Sequence, residues 1–62
     1  MVYRVKGIVY TAVPVEDVIS VVADSPIEAQ ELACEAFEID MKERYPDAKV
    51  SEIHIRECAI CS

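Results

Sequence analysis

The stretch DSPIEAQ, Asp24 to Gln30, leaves the backbone little choice. Ser25 is a preferred N-cap residue, and Pro26 stands at the first helical position, where its missing N–H costs nothing. Glu28 follows the serine by three residues and completes a capping box. A helix therefore starts here. Ala29, Leu32, Ala33, Ala36, Phe37 and Met41 recur at helical spacing and predict a buried stripe, with Glu28, Glu31, Glu35, Glu38 and Lys42 on the opposite side. Pro46 ends the element, because a proline biases the residue before it out of helical geometry. The helix is expected from about Pro26 to about Tyr45.

Everything around this helix reads as strand. In VYRVKGIVYTAV, Tyr3, Val5, Gly7, Val9 and Val13 fall on one face, and Val2, Arg4, Lys6, Ile8, Tyr10 and Ala12 on the other. Gly7 marks a bulge or a close backbone approach. The segment VPVED, around Pro14, predicts a turn. EDVISVVAD then predicts a second strand, with Ile19, Val21 and Ala23 alternating against Val18, Ser20 and Val22. The short connection makes an antiparallel hairpin the simplest pairing. After the helix, KVSEIHIRECAI predicts a third strand, with Ile53 and Ile55 on one side and His54, Arg56, Cys58 and Ile60 on the other. The expected fold is α+β in the order β-β-α-β: one domain over residues 1–62, a three-stranded sheet with one helix packed on one face. The place of the third strand stays open, next to either hairpin strand.

A chain of 62 residues has a marginal core and commonly needs a disulfide, a metal or a partner chain. One helix covers only one side of a sheet. With Val5, Val9, Ile19, Val21, Ile53 and Ile55 under the helix, the other side holds Ile8, Tyr10, Ala12, Val18, Val22 and Ile60 among Arg4, Lys6, His54 and Arg56. An apolar surface of that extent marks an interaction site, and a two-fold dimer is the commonest closed solution. A homodimer through this open face, or through a free strand edge, is expected. The interface residues would be Ile8, Tyr10, Val18, Val22, His54, Arg56 and Ile60.

The formal net charge is −6. Such acidity disfavours direct binding to phosphate backbones and suits docking on a basic protein surface. Glu28, Glu31, Glu35 and Glu38 form the candidate acidic docking face. The N-terminal residues alternate polar and apolar, unlike a signal peptide, and no run approaches the roughly 20 apolar residues of a membrane helix. A cytoplasmic location without membrane contact is the expectation, and there Cys34, Cys58 and Cys61 would stay reduced.

The ending HIRECAICS raises the question of chemistry. His54, Cys58 and Cys61 have the spacing H-x3-C-x2-C, and with Cys34 they would form a Cys3His zinc set. On a strand, however, His54 and Cys58 start roughly 13 Å apart at ~3.3 Å per residue, too far for one ion unless the strand breaks. No metal and no cofactor is expected. The pair C-A-I-C resembles a thiol-redox motif. Such motifs use a following helix N-terminus to lower a thiol pKa, and only Ser62 follows here. His54 lacks an evident partner for acid–base work. Asp40 falls amid the helix's apolar side and reads as a satisfied or half-exposed carboxylate near the helix end.

The passages YRVKGIVY, VISVVADSPIEAQELA and YPDAKVSEIHI resemble small proteins of phages and mobile elements. The DpnD/PcfM-like proteins share the V-x-A-D-S-x-x-E-A step from strand into helix, found here from Val21 to Ala29. The resemblance implies an accessory protein and no catalytic residues. The expected function is thus a small acidic, non-enzymatic homodimer that binds a host or element-encoded protein, with inhibition of a defence or nucleic-acid enzyme as one form. The alternatives are a zinc-stabilised module built from the tail, or a small-ligand carrier whose site between subunits is lined by Arg4, Lys6, His54 and Arg56.

Overall fold

A computed structural model describes residues 1–61. Strand β1 spans Val2–Tyr10, β2 Pro14–Val22, helix α1 Pro26–Arg44 and β3 Glu52–Ile60. The sheet order is β2-β1-β3, and both pairings are antiparallel. The α+β order and the single helix on one face agree with the sequence reading. The open question of β3 is resolved beside β1: the chain leaves β2 at one end of the sheet, crosses over β1 as the helix, and returns along β1's far side. The lengths match, since 19 helical residues at ~1.5 Å each and nine strand residues at ~3.3 Å each both span about 30 Å.

The helix begins as its cap dictates. Ser25 Oγ accepts the Glu28 N–H at 3.2 Å, and the Glu28 carboxylate reaches back to the Asp24 N–H at 3.3 Å. The last turn closes with the Tyr45 N–H on the Met41 carbonyl at 2.8 Å, so the helix ends one residue before the expected Tyr45.

The core is Tyr3, Val5, Val9 and Ala23 from the sheet side with Ala29, Ala33, Phe37 and Met41 from the helix. Those helical positions repeat every four residues, a slowly winding line set by the 3.6-residue turn. Leu32, expected within the stripe, lies about 100° around from Ala33 and is 38% exposed; Ala36 is half-buried beside it. Val15, Ile19, Val21, Ile53 and Ile55 pack around this core from the flanking strands.

Three expectations on the sheet need correction. The hairpin turn is Thr11–Val13, not VPVED, and Pro14 opens β2 opposite Tyr10. A proline is admissible at the first position of an edge strand, where no ladder N–H is lost. Val13, expected on the helix-facing side, is 61% exposed in that turn. The third correction is a register shift between Lys6 and Gly7. Lys6 pairs with Glu57 and Gly7 with Ile55, leaving Arg56 as the extra residue of a bulge. Beyond it, Cys58 pairs with Val5 and Ile60 with Tyr3. Because directly paired residues share a face, Cys58 and Ile60 turn to the helix side. The expectation that they face away from the helix fails, because one inserted residue reverses every later position.

Gly7 lies where the helix and β3 both crowd β1. A Cβ there would stand 2.9 Å from Phe37 Cε2 and 3.1 Å from the His54 carbonyl oxygen. Gly7→Ala is expected to lower unfolding free energy by about 1–3 kcal/mol through overpacking, read from urea midpoints. Phe37→Leu should cost less in that background than in the wild type, because it relieves the same contact.

Candidate interaction face

The residues on the sheet face away from the helix follow from the register. Its rows, in strand order β2, β1, β3, are Ser20–Arg4–Ala59, Val18–Lys6–Glu57, Glu16–Ile8–His54 and Pro14–Tyr10–Glu52, with Val22–Val2 at the end. Five of the expected interface residues lie here together: Ile8, Tyr10, Val18, Val22 and His54. Arg56 is exposed at the bulge. Ile60 is the exception, carried to the helix side by the bulge. Glu57 takes a place on the face that alternation assigned to a neighbour, and no sequence signal short of the bulge would have found it. Glu16 and Glu52 flank Ile8 and Tyr10, which becomes evident only once the register is known.

The face is open and mixed. Val18 is 49% and Val22 73% exposed, while Ile8, Tyr10 and Val2 are half-buried among their neighbours. The His54 and Tyr10 rings meet edge-on with centroids 5.1 Å apart, and His54 Nε2 lies 2.8 Å from a Glu52 carboxylate oxygen. Lys6 and Glu57 approach to 4.0 Å with both side chains about half exposed; such a pair contributes at most about 1 kcal/mol.

The two free edges are obstructed. The Ala23 N–H bonds the Met1 carbonyl at 3.0 Å, which sets the alternation so that Glu16, Val18, Ser20 and Val22 turn their backbone groups away from β1. Asp17 Oδ1 accepts the outward Val18 N–H at 2.9 Å, and Pro14 offers no N–H. The β3 edge is broken by the Arg56 bulge. An inward-pointing charge, a proline and a bulge are devices that block strand addition.

Asp17 belongs to a small polar cluster at the far end of the helix. Arg44 reaches Asp40 at 2.9 Å and Asp17 at 3.6 Å. These residues, with Val18 and Ile19, line a shallow cavity of about 210 Å³, below the usual range of ligand pockets, about 300–1,000 Å³. Asp40 is thus a carboxylate paired near the helix end, as the sequence reading favoured. Burial pushes the Asp17 pKa up from 3.8, and a side-chain hydrogen bond with Asp40 adds to it; the Val18 N–H and Arg44 act in the opposite sense.

The tail does not assemble a site. His54 lies on the open face, whereas Cys58 lies on the helix side with its thiol 3.9 Å from the Pro26 carbonyl oxygen. Among the described residues, no three His, Cys, Asp or Glu side chains are grouped to hold a metal ion. Cys61 continues the extended chain, its N–H on the Val2 carbonyl at 2.7 Å. Three extended residues separate Cys58 from Cys61 by roughly 10 Å, beyond the ~7 Å limit for a disulfide. Cys34 is half-buried on the helix, and desolvation, with Glu38 nearby, pushes its thiol pKa up. Glu28, Glu31, Glu35 and Glu38 are all exposed, as the acidic docking face requires. Among the described residues no helix is long and apolar enough to cross a membrane.

Two measurements test this description. Because the folded Asp17 carboxyl holds its proton more tightly than the unfolded one, its contribution to stability is fully present below pH 3.8 and is lost as pH rises through the higher folded value. Asp17→Asn keeps an acceptor for Val18 and removes the charge, so it should raise the thermal midpoint at pH 7, with a gain that shrinks below pH 3.8. Iodoacetamide followed by mass spectrometry should label exposed Cys61 first and Cys34 last, because the thiolate is the reacting form.

No protein-family model, curated protein or solved structure matches this chain, so the open face is read on its own geometry.

Proposed function

We propose that this chain is a small, acidic, non-enzymatic protein-binding protein that works as a homodimer, its first partner a second copy seated on the open sheet face. The observation that carries this reading is the uncovered face itself: Val2, Ile8, Tyr10, Val18 and Val22 lie on the side of the sheet away from the one helix among the described residues. Among the described residues, eight buried apolar side chains, of which Phe37, Met41, Val5 and Val9 are the largest fully buried, make a small core, and a second copy would add to it. The molecule measures 35 × 18 × 14 Å; its broad side projects about 600 Å², of the order of the ~800 Å² each partner buries in a standard interface. The obstructed edges favour association through the face.

Beyond self-association, the exposed row Glu28, Glu31, Glu35 and Glu38 suits a basic protein partner. The resemblance to DpnD/PcfM-like proteins extends the proposal to an accessory protein of a phage or mobile element that binds a host or element-encoded protein, with inhibition of a defence or nucleic-acid enzyme as one outcome. The contact between His54 and Glu52, both exposed on the open face, suits an interface better than a catalytic centre, which needs an enclosing pocket.

Sedimentation equilibrium at micromolar concentration tests the dimer. Val18→Asp should leave the far-UV spectrum unchanged and convert a dimer to a monomer, since it buries a carboxylate at the centre of the contact. A wild-type protein that stays monomeric removes the proposal.

A further inference from the structure

The helix carries a second row of residues that the sheet does not account for. Its core line, Ala29, Ala33, Phe37 and Met41, steps by four and is buried. Glu28, Leu32, Glu35 and Ile39 step by four, three and four instead, the seam spacing of helices that pack side by side. Leu32 is 38% and Ile39 60% exposed. Single exposed apolar residues are ordinary. Here two stand two turns apart on one flank, each bracketed by carboxylates. Glu28 and Glu35 neighbour Leu32, and Glu35 and Glu43 neighbour Ile39, at spacings of three or four residues. All three glutamates are exposed.

This flank lies on the β2 side of the helix. Leu32, Ala36 and Asp40 follow one another at steps of four, and Asp40 is joined to Asp17 of β2 through Arg44. Ile19 of β2 shares a hollow with Asp40 and is only half-buried. Arg44 is engaged with its two carboxylates, and Lys42 borders the far end of the row, four residues after Glu38. The row is therefore acidic along most of its length.

We infer that this flank docks a basic amphipathic helix of a partner protein, with apolar residues seven apart against Leu32 and Ile39, and Lys or Arg between them against Glu28, Glu35 and Glu43. This deepens the basic-partner reading and rests on it, not on the homodimer. Spacing selects a helix. Leu32 and Ile39 are separated by about 10.5 Å along the axis at ~1.5 Å per residue, and a second helix lying nearly parallel repeats one side at the same interval. An extended strand repeats one side at ~6.6 Å and ~13 Å and falls out of step. Charge selects the partner. A second copy's flank would set glutamate against glutamate, whereas lysine and arginine complement the row.

Fluorescence anisotropy at about 50 mM salt, where exposed charges are weakly screened, tests this with the full chain and two labelled synthetic peptides. One is a 21-residue helix former with Leu every seventh residue between lysines. The other has the same composition, scrambled, with a central proline that prevents a helix. The helical peptide should bind at least about tenfold more tightly than the scrambled one. Leu32→Ser combined with Ile39→Ser should weaken it about tenfold, whereas Ile27→Ser, which removes an isoleucine 72% exposed elsewhere on the helix, should leave it within about twofold. Glu35→Gln combined with Glu43→Gln removes no apolar contact and should weaken it about fivefold and flatten its salt dependence. Circular dichroism should report an unchanged fold for each variant. Equal binding of the two peptides, an Ile27→Ser loss as large as that of the Leu32 and Ile39 pair, or no effect of the two glutamine substitutions would overturn helix docking on this flank and leave the basic-partner reading standing. Binding of neither peptide would overturn both.

Discussion

The close approach at Gly7 is the contact on which the rest of the structure depends. Phe37 from the helix and the His54 carbonyl from β3 both reach the space a side chain would occupy. The absent Cβ lets the helix settle over the central strand, so that Phe37 becomes one of the largest fully buried side chains. At the same point β3 carries its bulge. Bulges bend a strand and re-aim its side chains, and here the effect is to divide the last strand into two halves of opposite sense.

That division shapes both sides of the sheet. The first half of β3 keeps Ile53 and Ile55 under the helix and His54 on the open face, as simple alternation requires. The second half brings Cys58 and Ile60 to the helix side, where Cys58 packs against the core and its thiol lies near Pro26. The open face loses an isoleucine and gains Glu57. It is therefore less greasy than strict alternation implies, and its pattern of charge becomes as informative as its apolar area.

The polar cluster at the other end works in a related way. Asp17 points under the sheet from an edge strand, takes the outward N–H of Val18, and shares Arg44 with Asp40. A half-buried carboxylate that keeps its proton longer than usual is a stability cost. In return it sets an inward-pointing charge immediately before the run VISVV of an edge strand, a device that hinders strand addition. Guarded edges leave the face away from the helix as the open side of the sheet.

Local chemistry alone determined the elements with strong punctuation. Ser25, Pro26 and Glu28 specified where the helix begins, and Pro46 where it must stop, because capping and proline geometry act over three or four residues. Period-two alternation likewise placed Val5, Val9, Ile19, Val21, Ile53 and Ile55 on the helix side and Ile8, Tyr10, Val18, Val22 and His54 on the other. Pro14 misled because its meaning changes with context: a turn residue in isolation, it is equally suited to the first position of an edge strand. Leu32 misled because a stripe defined by spacing is broader than the line a single helix can press onto a three-stranded sheet. The strand order, the bulge at Arg56 and the consequent turning of Cys58 and Ile60 were decided only in the tertiary structure. They follow from how the crossing helix and the returning strand share the room at Gly7, a packing relation between residues up to about fifty positions apart that no local pattern encodes.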